Sequence, residues 1–308
     1  MKVFVAGHNG LVGSEIAETF EAAGYEVVKR NRSELDLQQL QEVEDFFAKE
    51  RPDGVILAAA RVGGILANQS KPVDFLTDNL QIQTNVLLSS AQFGVRDLVF
   101  LSSSCVYPKL TAQPMQPNQL MSGYLEETNE SYAIAKLAGM RLVESLNAQF
   151  GLQYTSVLPT NVYGHRDNFY NDDSHVLPAI IRKIHNSVIS GQDSVTLWGS
   201  GKPLREFIHS KDLASAVLRI FETGKKPSRI NVGSGEEVTI ADLASMVADE
   251  FGFEGEIKWD SSMPDGTPRK LLDSTYLKGL GWDIQIPLRS GISEVIQRYQ
   301  NEFVAEKR

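Results

Sequence analysis

An α/β fold of the Rossmann type, a doubly wound parallel sheet with a smaller α/β portion behind it, is what the first half of this chain predicts. Two patterns carry that prediction. Short, nearly continuous apolar runs alternate with longer amphipathic stretches up to Pro159, and beyond it the loops lengthen and the regularity fades. Strands that are apolar throughout have both faces covered, which is how helices flank a parallel sheet.

Val3 to Ala6 reads as the first strand and Leu11 to Ala23 as the first helix. Glu26 to Lys29 and Leu40 to Glu50 repeat the pair. Gly54 to Ala58 is the third strand, Asn79 to Phe93 lies in a helix, and Asp97 to Ser102 is the fourth strand. Glu130 to Phe150 is a long helix leading into a fifth strand, Tyr154 to Leu158. After that come a polar, Asn-rich stretch from Tyr163 to Ser174, turn signals from Trp198 to Pro203, and linkers at Gly224 to Ser228 and Met263 to Lys270. The expected division is a nucleotide-binding domain over residues 1–160, to which later segments can return, and a mainly substrate-binding domain over 161–308.

The 308 residues are 42% hydrophobic and 22% charged, an ordinary globular balance. A net charge of −9 disfavours a nucleic-acid or anionic-membrane partner, because both need a basic surface. Cys105 is the sole cysteine, so no internal disulfide can form. The opening MKVFVAGHNG lacks the regions of a signal peptide, and no apolar stretch approaches 18 residues. The expectation is a cytoplasmic protein outside the membrane.

Gly7, His8, Asn9, Gly10, Leu11, Val12 and Gly13 follow the first strand and open the first helix. The glycines permit a tight turn and a close approach of backbone to a pyrophosphate, and the helix N-terminus offers free N–H groups. A turn that merely needs glycine is the plain alternative. At the end of the second strand, Lys29, Arg30, Asn31 and Arg32 replace the acidic residue that holds a 2′-hydroxyl in NAD sites. Basic residues there suit a 2′-phosphate, hence NADP(H). Arg30 and Arg32 are the better candidates because a guanidinium forks onto phosphate, with Asp36 in reach of the adenine amine.

Tyr132 and Lys136 form Y-x-x-x-K on a helix, so both side chains share a face. An ammonium beside the phenol stabilises phenolate, and the expectation is a lowered Tyr132 pKa. Ser103 sits at the end of the fourth strand, where ligands of open α/β sheets bind. Singly these are a surface pair and a turn serine; in chain order with the glycine loop they form a set.

That set resembles the extended short-chain dehydrogenase/reductases acting on nucleotide sugars. The resemblance runs through nearly the whole chain and is carried by Ala59 to Ile65, Ser103 to Lys109, Tyr132 to Lys136, Pro159 to Gly164, Asp167 to Phe169 with Ser174 to Val176, Trp198 to Gly201, Arg205 to Phe207, and Asp265 to Asp273. It is closest to members that invert C3 and C5 of GDP-4-keto-6-deoxy-D-mannose and then reduce C4 with NADPH. It implies Cys105 as base, His175 as acid, Tyr132 as proton donor to the C4 oxygen, Ser103 as its companion, and Lys136 on the nicotinamide ribose. A free thiol is mostly protonated at neutral pH, so Cys105 needs help to ionise, and Ser103, Tyr132 or a positive cofactor charge is expected to stabilise the enolate oxyanion.

The resemblance further places Leu101, Ser102, Pro159, Asn161, Val162 and His175 at the cofactor, and Lys183, Trp198, Arg205 and Asp265 at the nucleotide sugar. Lys183 stands where relatives can carry arginine and loses the bidentate fork. Of the other histidines, His8 shapes the glycine loop, His165 is structural or solvated, His185 packs, and His209 caps a helix. The resemblance also implies a homodimer built on the helices containing Asn79–Phe93 and Glu130–Phe150. Three other readings compete: an enzyme for another GDP-keto-sugar such as a deoxyheptose, an NADP-binding sensor without chemistry, and a nucleic-acid binder.

Overall fold

The structure, a computed structural model, describes residues 1–169 and 174–306; residues 170–173 of the expected Tyr163–Ser174 loop lie outside it. In chain order the elements begin with β1 (Lys2–Ala6), α1 (Leu11–Ala22), β2 (Glu26–Val28), α2 (Leu40–Glu50), β3 (Gly54–Leu57), α3 (Ile65–Ser70), α4 (Pro72–Gln92) and β4 (Asp97–Leu101). Next are α5 (Glu130–Phe150), β5 (Thr155–Pro159), β6 (Asn161–Tyr163), α6 (Val176–Ile189), β7 (Ser194–Trp198), β8 (Leu204–His209) and α7 (Ser210–Glu222). The chain closes with β9 (Arg229–Val232), β10 (Glu237–Thr239), α8 (Ile240–Phe251), β11 (Glu256–Asp260), β12 (Arg269–Lys270), α9 (Thr275–Gly279) and α10 (Leu288–Glu306).

Six strands make a parallel sheet in the order β2–β1–β3–β4–β5–β9. One apolar layer covers the face carrying Phe4, Phe47, Val86, Phe100 and Val143, from α2, α4 and α5. The other, from α1 and α7, packs Ile16, Phe20, Val217 and Ile220 against Val3, Val5 and Val99. The sheet is thus the doubly wound one the sequence predicts. Its order reverses between β1 and β3, and that is where such sheets open a crevice for ligands. The sixth strand, β9, comes from well past residue 160.

A second layer of structure stands over the carboxyl ends of these strands. In it β8 pairs with β10, β12 and β6, and β7 pairs with β11. Its own core gathers Leu177, Ile181, Phe207, Leu243, Val247 and Ile296 from β8, α6, α8 and α10.

Three strands stop short of the sequence reading, and one of them, β3, ends at Leu57 and not at Ala58. β2 stops at Val28, with the Lys29 ammonium turned to Glu21 at 2.5 Å. β4 stops at Leu101, because Ser102 turns its hydroxyl inward onto Met140. Beyond Tyr163 the sequence reading set no element bounds, and up to there two elements were not anticipated, α3 and β6. Each is short, and a few residues carry too little periodicity to be read as a helix or a strand.

The loop from β1 into α1 shows why its glycines are needed. Gly7 has φ +90°, and a Cβ there would sit 2.6 Å from the Ala59 backbone nitrogen, just after β3. The ends of β1 and β3 therefore touch at the reversal point only because position 7 has no side chain. A Cβ on Gly13 would lie 2.1 Å from the Gly7 carbonyl oxygen, so α1 can start directly beneath the loop.

Candidate active site

Gly10 differs from its two neighbours. A Cβ there would meet nothing closer than the Gly7 oxygen at 3.5 Å, and its φ of −81° suits any residue. Packing does not require a glycine at position 10, so what its bare backbone keeps open is the approach to the α1 N-terminus, which no side chain caps. That cradle fits a pyrophosphate. At the end of β2, Arg30 is already engaged: its guanidinium pairs with Glu50 at 2.6 Å and lies over Phe46. Arg32 is exposed, with loose contacts to Gln38 at 3.2 Å and Asp36 at 3.6 Å. Asn9 and Asn31 bridge the two loops through their side-chain amides at 2.6 Å. His8 is held below its usual pKa, first by burial and then by Lys29.

Tyr132 and Lys136 are both buried, one turn apart on α5. Lys136 donates its Nζ to the Leu101 carbonyl at 2.9 Å and stands 4.8 Å from the Phe100 ring centre. Phe75 of α4 packs its ring edgewise on Tyr132, with Ala67 of α3 and Cys105 beside it. Phe75 is backed by Arg61, which α4 fixes through Asp74 at 3.0 Å and Asp78 at 2.9 Å. Ser103 hydrogen-bonds Tyr132, and its oxygen accepts from the Cys105 backbone N–H at 3.2 Å.

One electrostatic expectation is reversed here. Burial raises the Tyr132 phenol, Cys105 adds to the rise, and the Ser103 hydrogen bond offsets only part. Burial equally drives Lys136 down to about 7. In a site walled off by Phe75 and Phe100 the loss of water outweighs the attraction between the pair, so each group favours its neutral form.

Cys105 is half-buried. Burial pushes its thiol up, but Lys270, the Ser103 hydrogen bond and His175 together outweigh that, and the net shift is downward. The Lys270 Nζ lies 3.5 Å from Sγ. His175 stands at the N-cap of α6 with Nδ1 3.4 Å from Asp167 Oδ1. Burial would lower it; the Asp167 hydrogen bond and charge, with Cys105, raise it. A lowered thiol and a raised imidazole are the polarity a base and an acid need.

On the nucleotide side, the Lys183 ammonium lies 4.7 Å from the Trp198 ring centre, and Trp198 is 41% exposed at the end of β7. Arg205 of β8 donates to the Asp265 carbonyl at 3.2 Å, and burial lowers it to about 10. Both Asp265 carboxylate oxygens accept from Ser200, at 2.7 and 2.8 Å, which ties the turn after Trp198 to the strand segment leading to β12.

Three predicted cofactor residues also have structural duties. The Asn161 amide donates to the Glu206 carbonyl at 2.7 Å, Pro159 ends β5, and Val162 packs on the core. His209 caps α7, accepting from the Lys211 N–H at 3.2 Å. That bond leaves the ring proton on Nε2, and the Lys211 ammonium sits 2.6 Å from Glu294 Oε1. Of the neighbouring His165, His209 and Glu294, His165 lies 2.8 Å from Glu294, while His209 Nε2 is buried with no hydrogen-bond partner among the described residues.

Asp167, Phe75 and Lys270 were not singled out from the sequence. The first and last lie within segments that carried the resemblance, but nothing in their spacing reports what they touch.

The family described as "NAD dependent epimerase/dehydratase" matches residues 3–233. The chain is 49% identical over 309 residues to the probable GDP-L-fucose synthase 1 of Oryza sativa subsp. japonica, covering 100% of this chain and 94% of that one. It superposes with a TM-score of 0.90 on a GDP-6-OMe-4-keto-L-xylo-heptose reductase from C. jejuni, at 33% identity, covering 98% of both chains. With a GDP-L-fucose synthetase from Naegleria fowleri bound to NADP the TM-score is 0.88 at 28% identity, over 98% of this chain and 93% of that one.

Proposed function

Because the chain belongs to the NAD dependent epimerase/dehydratase family, within the extended short-chain dehydrogenase/reductases, we propose that it converts GDP-4-keto-6-deoxy-D-mannose to GDP-L-fucose by epimerisation at C3 and C5 followed by reduction at C4. It is an NADP(H)-dependent enzyme. The observation that carries the proposal is that two kinds of proton chemistry meet in one pocket. Ser103 hydrogen-bonds Tyr132 on one side and receives the Cys105 N–H on the other, and the Cys105 thiol feels His175.

In this reading the Ser103 and Tyr132 hydroxyls donate to the C4 ketone oxygen and draw charge from C3 and C5. Cys105 removes the proton at each centre and His175 returns one on the opposite face. The Ser103 hydroxyl holds the enolate oxygen between the two transfers, a role worth about 3–4 kcal/mol in well-aligned sites. Tyr132 finally gives its proton to the C4 oxygen. Gly7, Gly10 and Gly13 would hold the pyrophosphate of NADPH and Arg32 its 2′-phosphate, and the bound cofactor would supply the hydride for C4. Arg205 meets the diphosphate and Trp198 with Lys183 the nucleoside.

Purified protein mixed with NADPH and this keto-sugar is expected to lose nicotinamide absorbance and form GDP-L-fucose. Loss of absorbance with the manno-configured alcohol would mean that Cys105 and His175 do not epimerise this substrate. No loss would remove the sugar assignment and turn attention to a keto-heptose, or to a protein that binds NADP without chemistry. The heptose reductase is the lesser likeness, at 33% identity against 49% for the fucose synthase.

The same proposal includes a homodimer in the cytoplasm. Among the described residues no helix is long and apolar enough to cross a membrane. Packed against each other, α4 and α5 leave Val73, Leu88, Ile134 and Phe150 exposed, apolar side chains that a partner copy would cover. Light scattering is expected to give twice the 34.1 kDa chain mass; a monomer mass rejects the dimer.

A further inference from the structure

We propose that Lys270 is a positioning residue for proton transfer at carbon: its ammonium keeps Cys105 in the thiolate form that takes the C3 and C5 protons. The proposal rests on the reading of Cys105 as base given above. Among the described residues, Lys270 is the cation in direct contact with the sulfur, Nζ to Sγ at 3.5 Å, and it is 8% exposed, so water screens the contact little.

The fold delivers that contact with care. β12 lies parallel to β8 with Lys270 in register with Arg205, so the two cationic side chains leave the sheet on one face. The chain is pinned just past the contact. The Leu271 N–H donates to Gln113 Oε1 at 2.9 Å, and the Leu272 N–H to the buried Glu206 carboxylate at 3.0 Å. Four titratable groups face the sulfur, each from a different element: Lys270 from β12, His175 at the start of α6, Tyr132 from α5 and Arg205 from β8; the Ser103 hydroxyl also bonds it. Tyr132 stays a neutral phenol and brings no charge, and His175 must lose its proton during the reaction. Lys270 is the contact charge that stays constant through both epimerisations.

The proton count shows why a constant charge is useful. At C3 the C–H bond breaks, an S–H bond forms, and the electron pair moves onto the C4 oxygen. A His175 N–H bond then breaks as the new C3–H bond forms. This leaves Cys105 as thiol and His175 neutral. One proton must pass from sulfur to imidazole before C5 can react, and an ammonium at the sulfur favours that release.

Cys105 is the sole cysteine, so alkylation by iodoacetamide reads it alone. Rates would be measured against pH for the full chain, for Lys270→Gln and for Lys270→Arg. An opposite charge at this range shifts a pKa by about one to three units. Lys270→Gln is expected to move the alkylation midpoint up by about one unit or more, and Lys270→Arg to return it. An unmoved midpoint in Lys270→Gln, or no recovery in Lys270→Arg, overturns the proposal. Lys270→Met, which keeps the stem packed, serves if Lys270→Gln fails to fold, with NADPH-dependent thermal shift as the check of folding. Deuterium uptake at C3 and C5 of the keto-sugar with NADP⁺ present should shift with pH in the same way. If the wild-type chain takes up no deuterium, the sugar assignment fails while the alkylation profile still decides the role of Lys270.

Discussion

Tyr132→Phe is expected to reduce NADPH turnover with the keto-sugar by about 10²–10⁴-fold, the range that a single positioned proton donor contributes. The ring itself stays. Phe75 packs on its edge, and phenylalanine preserves that contact, so stability and NADPH binding should change little. What leaves is one hydroxyl, its bond to Ser103 and the proton for the C4 oxygen. Deuterium uptake at C3 and C5 should fall far less, because Cys105 and His175 are untouched and Ser103 still holds the enolate oxygen. Turnover within a few-fold of wild type would remove Tyr132 as the acid. Equal loss of turnover and deuterium uptake would show that Tyr132 serves the enolate as much as the alcohol. A protein that merely senses NADP would bind it in both forms and turn over neither.

The direction of the Tyr132 shift agrees with its assignment as donor, although an ordinary phenol is protonated at neutral pH as well. A phenol held above its usual range stays protonated at neutral pH, and a protonated phenol is what reduction of a ketone requires. An oxidising enzyme would need the phenolate first. The sequence pattern Y-x-x-x-K gives the pairing through helix geometry, but not the sign of the shift. That sign depends on Phe75, Phe100 and the α3 loop, which close the site from distant parts of the chain.

The same distinction separates what could be read early from what could not. The glycine loop, the strand-end serine and the i, i+4 pair are local, and each sits where one element ends or repeats. Lys270 reaches Cys105 across 165 residues through the pairing of β12 with β8, and a strand of two residues leaves no trace in hydrophobic periodicity. Arg30 shows the converse. Its place after the second strand marks it as a phosphate ligand, yet Glu50 and Phe46, both on α2, already hold its guanidinium, and Arg32 is left open. Asp265 likewise matches a substrate position while spending both oxygens on Ser200.

Lys136 gives the second large effect, in stability against pH. Burial lowers its pKa in the folded chain to about 7, against about 10.4 when unfolded. Between those values the unfolded state binds a proton that the folded state has released. Stability must therefore rise with pH across the window, by up to about 1.4 kcal/mol per pH unit. Below pH 7 both states carry the proton, the slope vanishes and the cost of the buried charge is fully present. Lys136→Met keeps the stem against Phe100 and removes the titration. Urea unfolding of both proteins at pH 7 and pH 9 isolates the residue, since every other group is shared. The expected result is that the wild type gains about 2–3 kcal/mol relative to Lys136→Met over that interval. Parallel stability curves would mean that Lys136 keeps its charge when folded. The expected slope would show that the unliganded site holds a neutral amine donating to the Leu101 carbonyl. With such an amine the pair holds one proton to give, that of the Tyr132 phenol; it goes to the C4 oxygen and leaves a phenolate that must regain a proton from water before the next turnover. The two opposite shifts, phenol up and ammonium down, then have one cause: a dry site in which both members of the pair are neutral before the proton moves.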